Sequence, residues 1–169
     1  MLTIRLAIED DAAALPDIER SSGQAFRHLP GLEWIADDSV TSSERHLELI
    51  RQGTAWVSQD DNLVVTGFLI AEVHHDALHI WQMSVQADQQ KRGIGRELIR
   101  VANRWAKENR LSALTLTTFR DVPWNAHFYE TCGFALIDPT NHPMLLATIQ
   151  AEREAGLPEE RRCAMLRSL

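Results

Sequence analysis

The sequence predicts one mixed α/β domain over residues 1–169, with a mostly antiparallel sheet flanked by helices. Three observations lead there. A chain of 169 residues fits one domain with a substantial core. Its 44% hydrophobic and 24% charged residues are ordinary for a globular protein and unlike disordered, collagen-like or disulfide-scaffold chains. Short β-rich runs separated by polar turns surround one strongly amphipathic helix, with no repeat, linker or low-complexity tract.

The elements follow in order. Leu2 to Leu6 alternates as a short strand. Asp10 and Asp11 offer caps for a helix toward Ser21, which Pro16 either kinks or moves to a later start with Pro16 in its first turn. Phe26 to Val40 lacks periodicity and reads as a long loop or short helix of the kind that forms lids. Ser42 and Ser43 cap a helix over Glu44 to Arg51, closed by Gly53. Thr54 to Ser58, Leu63 to Val73 and Ala77 to Val85 form an antiparallel meander. Ile94, Leu98, Val101, Ala102 and Trp105 fall at helical intervals and make Gly93 to Glu108 the best-defined helix. A strand over Ala113 to Phe119, a short helix over Trp124 to Cys132 and a strand over Gly133 to Ile137 come next. A helix near Met144 to Ala155 and a strand near Arg162 to Arg167 complete the chain.

Seventeen basic against twenty-four acidic residues give a net charge of -7, which argues against a nucleic-acid partner and favours a cationic one. The most apolar stretch, Leu63 to Val73, is shorter than the roughly 18 residues of a membrane span. Two widely spaced cysteines, Cys132 and Cys163, suit a reducing compartment, so a soluble cytoplasmic protein is expected. His74, His75 and His79 have no carboxylate or cysteine spacing to complete a metal site, and no metal is expected.

The sharpest feature is Gln90-Lys91-Arg92-Gly93-Ile94-Gly95-Arg96, which enters the best helix. Residues 91–100 hold four bases, Lys91, Arg92, Arg96 and Arg100, against one acid, Glu97. Bases at a helix N-terminus oppose its dipole, and a bound anion reverses that sign. Glycines 93 and 95 let a phosphate approach the first-turn amides. Arg96-Glu97 replaces the Lys-Ser/Thr of an ATP-type loop, and Leu98 stands where a dinucleotide loop has its third glycine. A plain glycine-rich turn with solvated bases is the alternative.

About thirty residues later comes Asn125-Ala126-His127-Phe128-Tyr129-Glu130-Thr131-Cys132-Gly133-Phe134. Gln-x-x-Gly-x-Gly at a strand-to-helix turn, followed by Asn before Phe-Tyr-x-x-x-Gly-Phe, resembles the GNAT superfamily of acetyl-CoA-dependent N-acetyltransferases. The likeness covers residues 1 to 137 in element order and 77 to 137 in motif.

The resemblance implies a sheet whose central strands splay around the pantetheine arm of acetyl-CoA. It implies that backbone groups of Met83 and Val85 bond that arm and that Gln90, Lys91, Arg92, Gly93, Ile94, Gly95 and Arg96 hold the pyrophosphate. Asn125 would contact the cofactor, its plain alternative being a helix N-cap. Tyr129, the chain's one tyrosine, matches the residue that protonates or hydrogen-bonds the departing thiolate. His79 lies where some members carry a Glu or His base; alternation puts it on the face of Trp81, Met83 and Val85. A hydrogen-bonded or solvated histidine at the strand end, with other residues or only water relaying the proton, is the alternative. Cys132 is read as packing.

Acceptor candidates are Glu33 and Trp34, with Asp37 and Asp38 beside them, and Phe119 and Trp124 near the end of a strand. The implied activity is acetyl transfer to a primary amine of a small molecule or peptide by direct attack. A non-catalytic acyl-CoA-binding module, needing neither Tyr129 nor His79, is the alternative. The C-terminal segment is compatible with a homodimer interface.

Overall fold

The computed structural model describes residues 2–169. Seven strands follow the hydrogen-bonded order β1-β2-β3-β4-β5-β7-β6, being β1 Thr3–Leu6, β2 Ala55–Gln59, β3 Val65–His74, β4 Ala77–Val85, β5 Ala113–Phe119, β6 Ala135–Ile137 and β7 Arg162–Ser168. Five α-helices accompany them, α1 Leu15–Gly23, α2 Ser43–Arg51, α3 Ile94–Glu108, α4 Ala126–Thr131 and α5 Pro143–Glu154. The chain divides into two compact units. The first runs to Glu72 and adds Gln82–Ala102; the second is Val73–Trp81 with Asn103–Leu169.

In the first unit β1 pairs antiparallel with β2, and β2 antiparallel with β3. Phe68, Leu69, Ile70 and Ala71 are all fully buried, so β3 is apolar on both faces and reads as a continuous hydrophobic run. Pro16 sits in the first turn of α1, where its fixed φ fits and its missing N–H loses no bond; a 3-10 turn over Glu9–Ala13 precedes it, so the helix starts late. Leu15 and Ile18 from α1 and Leu49 and Ile50 from α2 close over Ala55, Val57, Phe68 and Ile70. Ser42 caps α2 by accepting the Arg45 N–H at 3.2 Å. The segment expected as a loop contains two 3-10 turns, Gln24–His28 and Glu33–Asp37, tied together by Gln24 Nε2 donating to Ala36 O at 3.0 Å and by an Arg27–Asp37 ion pair at 2.7 Å.

In the second unit β4 pairs in parallel with β5 over Ala77–Ile80 and Ala113–Leu116. β5 pairs antiparallel with β7 from Ala113↔Ser168 to Phe119↔Arg162, and β6 flanks β7. Leu145 and Ile149 of α5 pack on Ala164. Arg162 makes two bonds to Glu152, of 2.8 and 2.9 Å, and lies 4.5 Å over the Phe119 ring. Such a buried guanidinium is tolerable only because both carboxylate oxygens and a π face meet it.

Among the described residues no helix is long and apolar enough to cross a membrane, and no group of three His, Cys, Asp or Glu is placed to hold a metal ion.

Candidate active site

The glycine loop is built by backbone conformation. After β4 ends at Val85, a short turn over Ala87–Gln89 leads to an extended Gln90. Lys91 and Gly93 then take left-handed φ values of 62° and 84°, and α3 starts at Ile94. Alternating left-handed residues turn successive amides toward one concavity, which is how a backbone anion cradle forms. The first helical bond here is Glu97 N–H to Gly93 O at 3.0 Å; the amides of Ile94 and Gly95 precede it. A Cβ at Gly93 would meet nothing within 4 Å, so the approach to the cradle is open. Lys91, Arg92 and Arg96 are exposed around it.

Gln90 Nε2 donates to Val85 O at 3.1 Å and ties the loop back to the strand end. A carbonyl oxygen has a second lone pair, so this bond leaves Val85 able to accept again. Arg92 reaches the Gln89 side chain, and Arg100 pairs with Glu97 at 2.7 Å. The residues present fit a diphosphate: oriented amides, a glycine with no Cβ in the way, and surplus positive charge.

The second unit carries Asn125, Tyr129 and His79. Asn125 precedes α4, yet its side chain does not cap it. Its Oδ1 accepts from Thr118 Oγ1 at 3.0 Å, which turns Nδ2 the other way. That Nδ2 is shielded from solvent and has no acceptor. A buried donor without an acceptor costs roughly 1–3 kcal/mol, and the plain N-cap reading does not account for it, since the side chain makes no cap bond.

Tyr129 is half-buried, with its ring edge-on to Phe128 at 5.3 Å and to Phe134 at 5.7 Å. Burial pushes its phenol up, the Cys132 thiol adds to this, and Arg162 opposes it. The phenol therefore keeps its proton at neutral pH. Cys132 is buried, as its packing role requires.

His79 is fully buried. Its Nδ1 lies 3.0 Å from Thr115 Oγ1, its ring is 4.4 Å from that of Trp81, and Nε2 is buried without a partner. The Trp81 contact puts the two on one face of β4, as alternation requires. Burial, then the nearby His74, lower its pKa to about 4, so the imidazole is neutral at pH 7.

Of the residues expected from sequence to meet the acceptor, Trp34 and Trp124 are about two-fifths exposed, while Phe119 is buried beneath Arg162. Asp37 is taken up by Arg27.

Sequence reasoning missed a further cluster in the first unit. Glu19 of α1 accepts the Thr41 N–H at 3.0 Å and lies 3.6 Å from Nε2 of the fully buried His46. Gln82 of β4 bonds the same carboxylate and accepts from Thr41 Oγ1 at 3.4 Å. Burial alone would raise the Glu19 pKa; the contacts from His46, Gln82 and Thr41 outweigh it and hold the group below the ordinary range. The available signal was His46 itself, a histidine three and four residues before Leu49 and Ile50 on the apolar face of α2.

The loop at the start of α3 fits a diphosphate, and, in the other unit, a tyrosine-bearing short helix precedes Gly133, both as expected of an acyl-CoA-dependent acyltransferase. The family model for the acetyltransferase (GNAT) domain matches residues 51–136. The chain belongs to that family. It is 25% identical over 142 residues, 77% of this chain and 82% of the relative, to the S-(2-succino)cysteine N-acetyltransferase of Bacillus subtilis (strain 168). The PaiA N-acetyltransferase from Thermoplasma acidophilum, solved in complex with coenzyme A, superposes with a TM-score of 0.77 at 16% identity, covering 100% of this chain and 99% of that one. The ribosomal-protein-S18-alanine N-acetyltransferase from Escherichia coli gives 0.69 at 17% identity, over 99% and 94%. The protein is an N-acetyltransferase that moves an acetyl group from acetyl-CoA to an amine.

Proposed function

We propose that residues 1–169 work as one cytoplasmic acetyltransferase domain for primary amines of small molecules or peptides, by direct attack without an acetyl-enzyme. The observation that carries this is the pair of left-handed residues, Lys91 and Gly93, at the start of α3. Gln90, Lys91, Arg92, Gly93, Ile94, Gly95 and Arg96 take the pyrophosphate, and backbone groups of Met83 and Val85 take the pantetheine arm. The unpartnered Nδ2 of Asn125 donates to the cofactor. Bound acetyl-CoA supplies the thioester; the chain's own residues hold it and manage protons.

A primary ammonium near pKa 10.4 loses its proton at pH 7 at a cost of about 4–5 kcal/mol. Delivering that proton to an imidazole held at about 4 costs about 9 kcal/mol, so water, not His79, makes the neutral amine. The amine nitrogen then attacks the thioester carbon, and its N–H becomes far more acidic as the C–N bond forms. His79 Nε2 takes that proton. As the C–S bond breaks, the electron pair stays on sulfur, where the Tyr129 phenol meets it with a hydrogen bond. Because burial raises the phenol, full proton transfer is steeper than for an ordinary tyrosine, and solvent completes it. Glu33, Trp34 and Trp124 are the exposed acceptor-side candidates; Phe119 supports from within. A homodimer through the C-terminal segment is part of the reading.

Thermal melting with CoA tests it. CoA raises the Tm of the parent by several degrees, and Gly93→Asp, which puts a carboxylate at the cradle on a left-handed backbone, abolishes most of that rise. Equal stabilisation of both proteins overturns the phosphate assignment. Thiol release from acetyl-CoA across an amine panel then separates catalysis from mere binding.

A further inference from the structure

Strand β5 carries three threonines, and each has a different partner. Thr117 donates to Glu152 at 2.6 Å and Thr118 to Asn125 at 3.0 Å, while Thr115 Oγ1 lies 3.0 Å from Nδ1 of His79. The parallel register runs from Ala77↔Ala113 to Ile80↔Leu116 and sets His79 directly opposite Thr115, so both side chains leave the sheet on one face. Both are buried, His79 completely. The Trp81 ring stands edge-on to the imidazole at 4.4 Å and 75°. A hydrogen bond on one nitrogen and an aromatic ring against its side resist rotation of the imidazole, and Nε2 is the nitrogen left without a partner.

The imidazole is neutral at pH 7, so it carries one N–H and one lone pair. Which nitrogen holds which is decided by the bond to Thr115. Were the hydroxyl the donor, the ring proton would sit on Nε2, as a buried N–H fixed in the ring plane with no acceptor, and such a group is costly. With Nδ1–H as the donor, Nε2 keeps the lone pair and the hydroxyl hydrogen rotates to suit. Only this second arrangement serves a base. A proton arriving at Nε2 makes both nitrogens donors, and Thr115 Oγ1 goes on accepting from Nδ1–H without rearrangement.

We infer that Thr115 is a positioning residue for acetyl transfer: it accepts from Nδ1–H of His79 and so fixes the tautomer in which the Nε2 lone pair takes the proton of the attacking amine. This rests on the role proposed above for His79. The proton passes from the amine nitrogen to Nε2 and then to solvent; Nδ1 and Thr115 keep their own throughout.

Nitrogen-15 NMR of the parent at pH 7 tests this without a substrate. The His79 signals are those missing from the spectrum of His79→Gln, and they should show the ring proton on Nδ1. A proton on Nε2 overturns the inference. Thiol release from acetyl-CoA with the best amine of the panel gives a second arm. Thr115→Val keeps the shape and removes the acceptor; kcat should fall about tenfold, while KM for acetyl-CoA changes less than about threefold and the CoA-induced rise in Tm persists. Thr115→Ser, which retains the hydroxyl, recovers most of the loss. In a His79→Gln background Thr115→Val should change kcat less than about twofold, because it acts through the imidazole. An equal fall in both backgrounds overturns the inference, and so does an unchanged kcat in Thr115→Val. Should His79→Gln itself turn over at the parent rate, His79 loses its role as base, the inference falls with it, and acetyl transfer stands. Silence with every amine removes the catalytic reading and the inference together.

Discussion

Tyr129 and His79 stand at opposite ends of one proton inventory, and burial acts on both. The phenol is pushed up and the imidazole down to about 4, so each is uncharged at neutral pH. Tyr129→Phe removes one donor to a leaving thiolate and should lower kcat by about 10²–10³-fold, with KM for acetyl-CoA changed less than about threefold. Steady-state kinetics at saturating amine checks this. The His79 value fixes the shape of the pH profile. A base whose pKa is lowered is already deprotonated above about pH 4, so it contributes no inflection near its ordinary 6.5. Between pH 6 and 8 the small neutral fraction of the substrate amine grows about tenfold per pH unit, and kcat/KM for an alkylamine should climb in step. A plateau beginning near 7 would show a histidine of ordinary acidity. At this scale the sequence made the motif residues legible, because glycine, asparagine and tyrosine at fixed spacing are unusual on their own. Glu19 and His46 were not: they are 27 positions apart, and their partners Thr41 and Gln82 come from other segments.

Element by element, capping residues marked α1 and α2 and hydrophobic period marked α3, where Ile94, Leu98 and Ala102 of the five residues singled out are buried and Val101 and Trp105 only partly so. Boundaries moved by a residue or two where caps decide them. The 24–38 region was illegible because its order comes from the Gln24–Ala36 and Arg27–Asp37 bonds rather than from any period. Helix α4 shows the converse dependence. Six residues are too few for a helix to persist by itself, so its end must be held. Gly133 turns left-handed at φ 88°, and Arg167 Nη1 donates to Cys132 O at 2.7 Å. A Cβ at Gly133 would come within 3.4 Å of that guanidinium. Gly133→Ala should cost about 1–2 kcal/mol by urea unfolding, from strain of a left-handed backbone. Because the helix carries Tyr129, kcat should fall while the CoA-induced rise in Tm persists.

At the scale of the whole molecule, charge is distributed against its own average. The chain is acidic by seven charges, yet residues 91–100 gather four bases against one acid. On the function proposed above, an acidic surface would draw cationic acceptors in and the basic island would take the anionic carrier, so that one net charge conceals two opposite tasks. Strand order and the two-unit division were beyond reach from sequence, because pairing partners such as Thr118 and Cys163 lie 45 positions apart and no local pattern specifies them.

Lys91 draws these scales together. It holds a left-handed backbone that glycine would adopt more easily, by about 1 kcal/mol. A screen for thermal robustness would therefore reward Lys91→Gly, and the winner would grip its carrier less well. If Lys91 takes the pyrophosphate as proposed, the residue that folds best in this loop and the residue that serves best are different amino acids.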